Sequence, residues 1–213
     1  MLDLLLNLLK GVPATLGVTI GAFALGAIAA VPLVLMRRSR SILISLPARI
    51  FIDVMRGMPP VVWLFILFFG LGSGVLQLTS FQAAILGLGL VSAAYLAEIY
   101  RGGFATVPAG QAETATALGM TRTDTLRFIL APQILRVSIP PMATFFVSLL
   151  KDSTVASTIG VRDIMMFGSQ GAQAAGGGFT PFLFAAALYI ALSIPVAFFS
   201  RVMDEKLRRN IAK

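Results

Sequence analysis

Apolar stretches that approach the thickness of a membrane recur along the chain, with short polar segments between them. A helix needs about 20 mostly apolar residues to cross the hydrocarbon core of a bilayer. The apolar stretches lie at about 15–36, 50–69, 81–100, 137–154 and 179–199. This pattern predicts an all-α membrane protein with five transmembrane helices.

The distribution of basic residues predicts which side of the membrane each segment occupies. All 17 basic residues except Lys10, Lys151 and Arg162 fall at the same ends of the predicted helices or in the segments beyond them. By the positive-inside rule that side is the cytoplasm. The N-terminus is then outside, the C-terminus is cytoplasmic, and residues 70–80 and 161–178 form outer loops.

Composition excludes several other classes of protein. Charged residues make up only 12% of the chain, against roughly a quarter in soluble proteins. The net charge of +8 is spread between apolar stretches and does not form a basic stripe with interleaved aromatics, so we expect no nucleic-acid partner. With no Cys and no His, disulfides, His or Cys metal sites and the usual catalytic triads are excluded.

The longest polar segment, residues 101–136, is predicted to contain two short helices. Residues 110–118 are mainly good helix formers, and Gly119 is a suitable C-terminal stop. Thr121, with Asp124 three residues later, predicts the start of a second helix, which Pro132 is expected to interrupt. The first helix has a face of small side chains that would let another surface approach closely. A docking insert and an ordinary surface loop are both consistent with these features.

This segment is similar to the EAA loop of type I ABC-importer permeases. Residues 113–115 (Glu-Thr-Ala) correspond to Glu-Ala-Ala, Gly119 to the fixed glycine, and Ile129 with Pro132 to the distal Ile and Pro. Thr114 and Ala131 depart from the usual pattern, but both are small. Further blocks resemble the polar amino-acid (histidine/glutamine/arginine-type) subfamily, namely 56–59, 97–103, 110–111, 132–133 and 150–154.

The resemblance implies a domain organisation and a set of partners. Residues 1–14 would be a short amphipathic segment that lies along the interface, and residues 15–204 the type 1 permease domain. The coupling loop would span about 104–135 and a basic cytoplasmic tail 205–213. In that family the permease lies in the bacterial inner membrane, pairs with an identical or related permease, binds two ATPase subunits and receives substrate from an extracytoplasmic binding protein.

The chain itself lacks the motif for nucleotide hydrolysis. No G-x-x-x-x-G-K-[ST] sequence occurs in it, so ATP and Mg²⁺ are expected in the partner ATPase and not in this subunit. We therefore expect a transport subunit that is not an enzyme and binds no cofactor. The residues expected to couple it to the ATPase are Gly110, Glu113, Ala115, Ala117, Gly119 and Pro132. Glu113 either anchors the loop to a partner cation or only favours the first turn of its helix.

Charged residues in the second apolar stretch suggest a gate. Asp53 and Arg56 lie three residues apart, just before Pro59, and are predicted to pair near the cytoplasmic mouth. The alternative is a helix end whose charges reach the interface, where such charges cost little.

Polar residues in the third and fourth stretches suggest a route for substrate. They are Tyr95 and Glu98 on one helix, and Lys151, Asp152, Ser153 and Thr154 on the next. A carboxylate would favour the ammonium group of an amino acid, and Lys151 its carboxylate. Structural hydrogen bonds between helices are the alternative.

Two other functions remain open at the level of sequence. An ion-gradient-driven secondary amino-acid transporter would leave the polar loop unexplained. A membrane-embedded enzyme would need a nucleophile and a base, for which Ser148 and Lys151 are the available pair, at a spacing that occurs often by chance.

Overall fold

The computed structural model describes residues 1–72 and 77–211, with side chains through residue 205. Every regular element in these ranges is helical, which confirms the predicted all-α class. The α-helices are α1 (Leu2–Leu9), α2 (Val12–Arg37), α3 (Ile42–Gly57), α4 (Pro60–Phe65), α5 (Ser80–Thr106), α6 (Ala109–Ala117), α7 (Arg122–Asp124), α8 (Ala131–Asp152), α9 (Ile164–Ala174) and α10 (Thr180–Ile211). Wider or tighter turns occur at Ile66–Gly72 and Thr125–Leu130, which are π-helical, and at Ser153–Ile159, which is a 3₁₀ helix.

Four helical stretches of the described residues are long and apolar enough to cross a membrane, and a bent pair makes a fifth if its two parts are counted together. The bent pair includes the apolar stretch predicted at 50–69, in which Pro59 and Pro60 were expected to kink the helix. Here α3 and the helix from Pro60 to Gly72 meet at 106°. Met58 and Pro59 are extended, with ψ of 145° and 139°. Each precedes a proline, whose ring disfavours helical geometry at the preceding residue.

The N-terminal segment predicted at 1–14 contains α1 and the first residues of α2. Helix α1 and helix α2 together form one candidate span, Leu2–Arg37. Leu8 is fully buried and packs in a cluster with Ile164 of α9 and Tyr189 of α10. By contrast, Leu2, Leu6 and Leu9 of the same helix are exposed.

Helices α2 and α5 form the centre of the bundle, and small residues bring them together. A Cβ at Gly26 would clash with the Cβ of Ser92, and one at Gly89 would clash with a methyl of Leu25. Only glycine allows such approach, as is common where membrane helices pack closely. This pair is the scaffold on which the remaining helices are arranged.

The polar loop folds largely as predicted, except at its end. Helix α6 occupies the expected place, Gly119 has a φ of +75°, and the Thr121 hydroxyl accepts a hydrogen bond from the Asp124 N–H at 3.1 Å. The expected interruption at Pro132 is wrong, because the helix continues from Arg122 to Ile159. A π-helical turn comes immediately before Pro132, and its wider hydrogen-bond spacing accommodates the ring that would clash in a regular α-helix.

Two other predicted irregular segments are helical. Within the expected outer loop 161–178, α9 begins at Asp163, whose carboxylate caps it by accepting from the Met166 N–H at 2.7 Å. The expected tail continues α10 to Ile211, and residues 212–213 lie outside the described range. The expected loop at 70–80 is partly described: the π-helical turn reaches Gly72, and residues 73–76 lie outside the described range.

Candidate functional site

Helix α6 is a short helix held against the start of α8. Its buried residue is Ala115, which is 1% exposed. The Gln133 side-chain N–H donates to the Gln111 side-chain oxygen at 2.6 Å and to the Ile129 carbonyl at 2.8 Å. These bonds tie α6 to the beginning of α8, which is part of a candidate membrane span.

The opposite face of α6 is free. Glu113 and Ala117 are exposed, and Glu113 makes no ion pair with the described side chains. The small face predicted for docking is only partly free, because Ala115 is buried where α6 packs on the chain's own π-helical turn. Small residues here let the loop close on itself, and the outward surface is left to other side chains.

Two exposed apolar residues do not follow from the sequence prediction: Leu118 directly follows α6, and Phe128 belongs to the π-helical turn. Leu118 is 76% exposed and Phe128 is 62% exposed. The available signal was a large apolar residue immediately before Gly119 in an otherwise polar segment. A patch of exposed apolar side chains surrounded by a polar rim is typical of interaction surfaces.

Glu98 is the centre of an ion-pair cluster that joins three helices. Its carboxylate lies 3.0 Å from Arg37 of α2, 3.0 Å from Arg101 of its own helix α5, and 3.8 Å from Arg56 of α3. Arg37 also lies 3.8 Å from Asp53. The predicted Asp53–Arg56 pair is therefore wrong: among the described side chains each has a different partner. Partner choice depends on how α2 and α5 pack against α3, and spacing within α3 does not determine it.

Tyr95 extends this cluster along α5. The Arg56 guanidinium lies 5.1 Å from the centre of the Tyr95 ring, which is cation–π distance. On its other side the ring stacks on Phe145 of α8, with centroids 5.2 Å apart and planes at 19°. Tyr95 and Glu98 thus share Arg56, and together they connect α3, α5 and α8.

The polar residues at the end of α8 have different environments. Lys151 and Asp152 are exposed, whereas Ser153 is buried and donates to the Leu150 carbonyl at 2.8 Å. Lys151 lines a cavity of about 220 Å³ between α8 and α10, and Ser148 is also in its wall. The structure does not bring Glu98 and Lys151 into one cluster among the described side chains.

A family model for the "Binding-protein-dependent transport system inner membrane component" matches residues 22–209. The chain belongs to this family. Its members are transport subunits of the membrane, and this chain is the permease subunit of an ABC importer, as the loop motif indicated. The match covers both the bundle and the α6 loop.

Two relatives of this permease are named as permeases of amino-acid and octopine transport systems. The probable amino-acid ABC transporter permease protein YckA of Bacillus subtilis (strain 168) is 34% identical over 202 residues, which are 93% of this chain and 88% of the relative. The octopine transport system permease protein OccM of Rhizobium radiobacter is 35% identical over 215 residues, with 95% and 88% covered.

Solved structures show the same architecture. The crystal structure of an amino acid ABC transporter with histidines superposes with a TM-score of 0.85 at 29% identity, over 94% of each chain. The inward-facing MetNI methionine ABC transporter superposes with a TM-score of 0.80 at 21% identity, over 93% of this chain and 95% of that one. The second likeness is one of fold.

Proposed function

We propose that this permease imports polar amino acids across the bacterial inner membrane, with its N-terminus outside and its C-terminus in the cytoplasm. The main support for this substrate class is the likeness, over nearly the whole chain, to a solved amino acid ABC transporter. Relatives named for amino-acid and octopine transport support it. The arginine-rich ends of α2, α3 and α5 support the orientation.

Two copies of an ABC ATPase, which bind ATP and Mg²⁺, drive the permease from the cytoplasmic side. A second permease chain, identical or related, completes the pathway, and an extracytoplasmic binding protein delivers the substrate. The surrounding lipid is the remaining partner. The sequence contains no nucleotide-binding motif, which supports an energy source in another subunit.

Helix α6 is the coupling element of this proposal. Glu113 offers an unpaired charge and Leu118 an apolar contact to the ATPase, and the Gln111–Gln133 bond transmits the movement to α8. Gly110, Ala117 and Gly119 keep the exposed side of the loop narrow. Ala115 and Pro132 act within the permease: the first lets α6 pack against its own chain, and the second lies at the junction with α8.

The cluster around Glu98 is the cytoplasmic gate. Arg56 and Asp53 lie at the end of α3, next to the bend at Pro59. Asp53 is connected to α2 through Arg37, and Arg56 to α5 through Glu98. Because its carboxylate is shared by three arginines, Glu98 holds the inner ends of the helices together and is not the contact for the substrate's ammonium group. A movement at the bend would break these ion pairs and open the inner end.

The substrate pathway runs along α8, next to α5 at its inner part and next to α10 at the far end. Tyr95 lies at its inner part, while Lys151, Asp152, Ser153 and Thr154 are at the far end of α8. The exposed ammonium of Lys151 suits the carboxylate of the substrate, and the exposed carboxylate of Asp152 suits its ammonium group. Hydrogen bonds between oppositely charged groups are stronger than those between neutral groups. Ser153 is buried and supports the turn from α8 to the 3₁₀ helix.

Reconstitution tests the proposal against an ion-gradient-driven transporter. The permease, co-expressed with its partner ATPase, is placed in proteoliposomes with the binding protein and labelled polar amino acids. We expect uptake that requires ATP and is unaffected by ionophores. Uptake without ATP that collapses with the ion gradient would contradict it. An embedded enzyme using Ser148 and Lys151 has no structural support, since no hydrogen bond joins these two described side chains.

A further inference from the structure

An apolar groove lies between the ends of three helices that carry the arginines of the proposed cytoplasmic side. It has a volume of about 230 Å³. Its floor is formed by buried Val34 of α2, Tyr100 of α5 and Ile134 of α8. Its rim includes Leu35 and Leu135, both of which are exposed. The lining is almost wholly hydrocarbon, which suits an acyl chain.

The floor of the groove is rigid because α5 and α8 pack closely beneath it. A Cβ at Gly103 would lie 2.7 Å from the Ser138 hydroxyl and 3.0 Å from Ile134. The Tyr100 hydroxyl donates to the Ala27 carbonyl of α2 at 3.5 Å. These contacts keep the three helices in place, so the groove is formed before any ligand enters it.

One arginine is positioned at the end of this groove. The Arg38 guanidinium lies 4.2 Å from the centre of the Phe104 ring, and Phe104 is part of the groove wall. Stacking on a ring fixes a guanidinium without using its N–H groups. Arg38 is exposed and makes no ion pair with the described side chains, whereas its neighbour Arg37 is taken up by Glu98 and Asp53.

The vertical arrangement matches a phospholipid. Groove residue Val31 and the capping residue Arg38 are separated by seven positions on α2, or about 10 Å at 1.5 Å per residue. The apolar part then lies within the hydrocarbon layer and the cation at the level of the head groups. In the proposed orientation this is the cytoplasmic leaflet, where anionic lipids attract basic residues.

We propose that this groove binds an anionic phospholipid, with an acyl chain between α2, α5 and α8 and its phosphate on Arg38. The free N–H edge of the guanidinium matches two phosphate oxygens. Charge complementarity favours a lipid over an apolar protein segment, because the free cation lies at the end of the groove. The inference rests on the proposed orientation for the choice of leaflet only.

Native mass spectrometry of the full chain tests this binding. Delipidated protein in detergent is titrated with palmitoyl-oleoyl phosphatidylglycerol, or with the phosphatidylcholine that has the same chains. We expect tighter binding of phosphatidylglycerol. Arg38→Gln should weaken it about fivefold, the effect of roughly one basic residue near a membrane surface. Arg40→Gln, which removes a nearby exposed charge without a ring contact, should leave it unchanged.

Variants of the groove test the acyl chain separately. Ala131→Phe should fill the groove and weaken both lipids, and Leu35→Asn should do the same through a polar amide without overpacking. Equal binding of the two lipids by the unaltered chain, equal effects of the two arginine variants, or no effect of either groove variant would each overturn the proposal. The proposal would also be overturned by a groove variant that loses ATPase association but binds both lipids as tightly as the unaltered chain. Because binding is measured in detergent, a reversed topology would not affect this result. Failure of the lipid proposal can therefore be distinguished from failure of the proposed orientation.

Discussion

Arg37 and Glu98 lie 3.0 Å apart and join the end of α2 to α5. Their side chains are only 19% and 15% exposed, so the pair is shielded from solvent and salt more than a surface ion pair. Two further arginines approach the same carboxylate. The bend between α3 and α4 is connected to this point through Arg56, which makes Glu98 the common contact of the helices whose ends must separate in the proposed gate.

Removing the charge of Glu98 should loosen the cluster. Glu98→Gln preserves the shape of the side chain but leaves three arginines near one another. We expect the free energy of unfolding to fall by about 1–3 kcal/mol, between the values for exposed and buried ion pairs. Thermal unfolding of the purified permease measures it. Asp53→Asn is the matched control, because Asp53 is 68% exposed and loses only one ion-pair contact, with Arg37 at 3.8 Å. Equal melting temperatures for Glu98→Gln and the unaltered protein would contradict the gate.

Gly119→Val should disrupt coupling while leaving the bundle intact. The residue has a φ of +75°, and a Cβ there would meet nothing within 4 Å, so the strain is confined to the backbone. A left-handed conformation costs an L-residue roughly 1–2 kcal/mol, and a β-branched side chain increases this. We expect normal membrane yield but reduced co-purification of the ATPase. Gly102→Ala, at an equally open glycine within α5, should retain the ATPase.

Reversing the charge of Glu113 should weaken docking without affecting folding. The side chain is exposed and has no ion-pair partner among the described residues, so Glu113→Lys leaves internal contacts unchanged. We expect loss of ATP-dependent uptake and of ATPase association at an unaltered melting temperature. Asp3→Lys makes the same change of charge on α1 and should transport normally. Full transport by Glu113→Lys would leave Leu118 and Phe128 as the candidate contacts.

Asp163 should make the stability of the permease depend on pH. It is 1% exposed, and burial raises its pKa from 3.8 to about 6, against the opposing effect of the Met166 N–H. The folded state therefore holds a proton that the unfolded state releases. Stability is highest below about pH 4 and falls as the pH rises to about 6, by about 3 kcal/mol at most.

Asp163→Asn tests this linkage. Asparagine also caps helices well, so α9 should be retained while the ionisable group is lost. Melting temperatures measured from pH 4.5 to 7.5 should fall with pH in the unaltered permease and fall less in the variant. Asp53→Asn should keep the original slope. A variant with the original slope would show that another group is responsible.

The orientation is tested by cysteine labelling, which the absence of native cysteines makes clean. Gln173→Cys on α9 and Thr123→Cys on α7 are both at exposed positions. A membrane-impermeant maleimide should label the first in intact cells and the second only after permeabilisation. Each variant is the control for the other, and the reverse pattern would contradict the proposed topology.

Sequence alone determined the features that depend on neighbouring residues. Runs of apolar residues indicated the spanning helices, and α6, the left-handed Gly119 and the Thr121 cap follow from local preferences for helix formation and termination. The resemblance of the α6 loop indicated the family for the same reason, since its motif lies in one short segment. These features need no knowledge of what packs where.

Tertiary structure decided everything that depends on distant partners. Asp53 and Arg56 are close in sequence, yet Arg37 and Glu98 take them, because packing of α2 and α5 places opposite charges nearer than a turn of α3 does. Ala115 faces inward because α6 folds back on the start of α8. Helix periodicity shows which residues share a face, but the direction of that face is set by neighbouring helices, whose contacts come from residues far away along the chain.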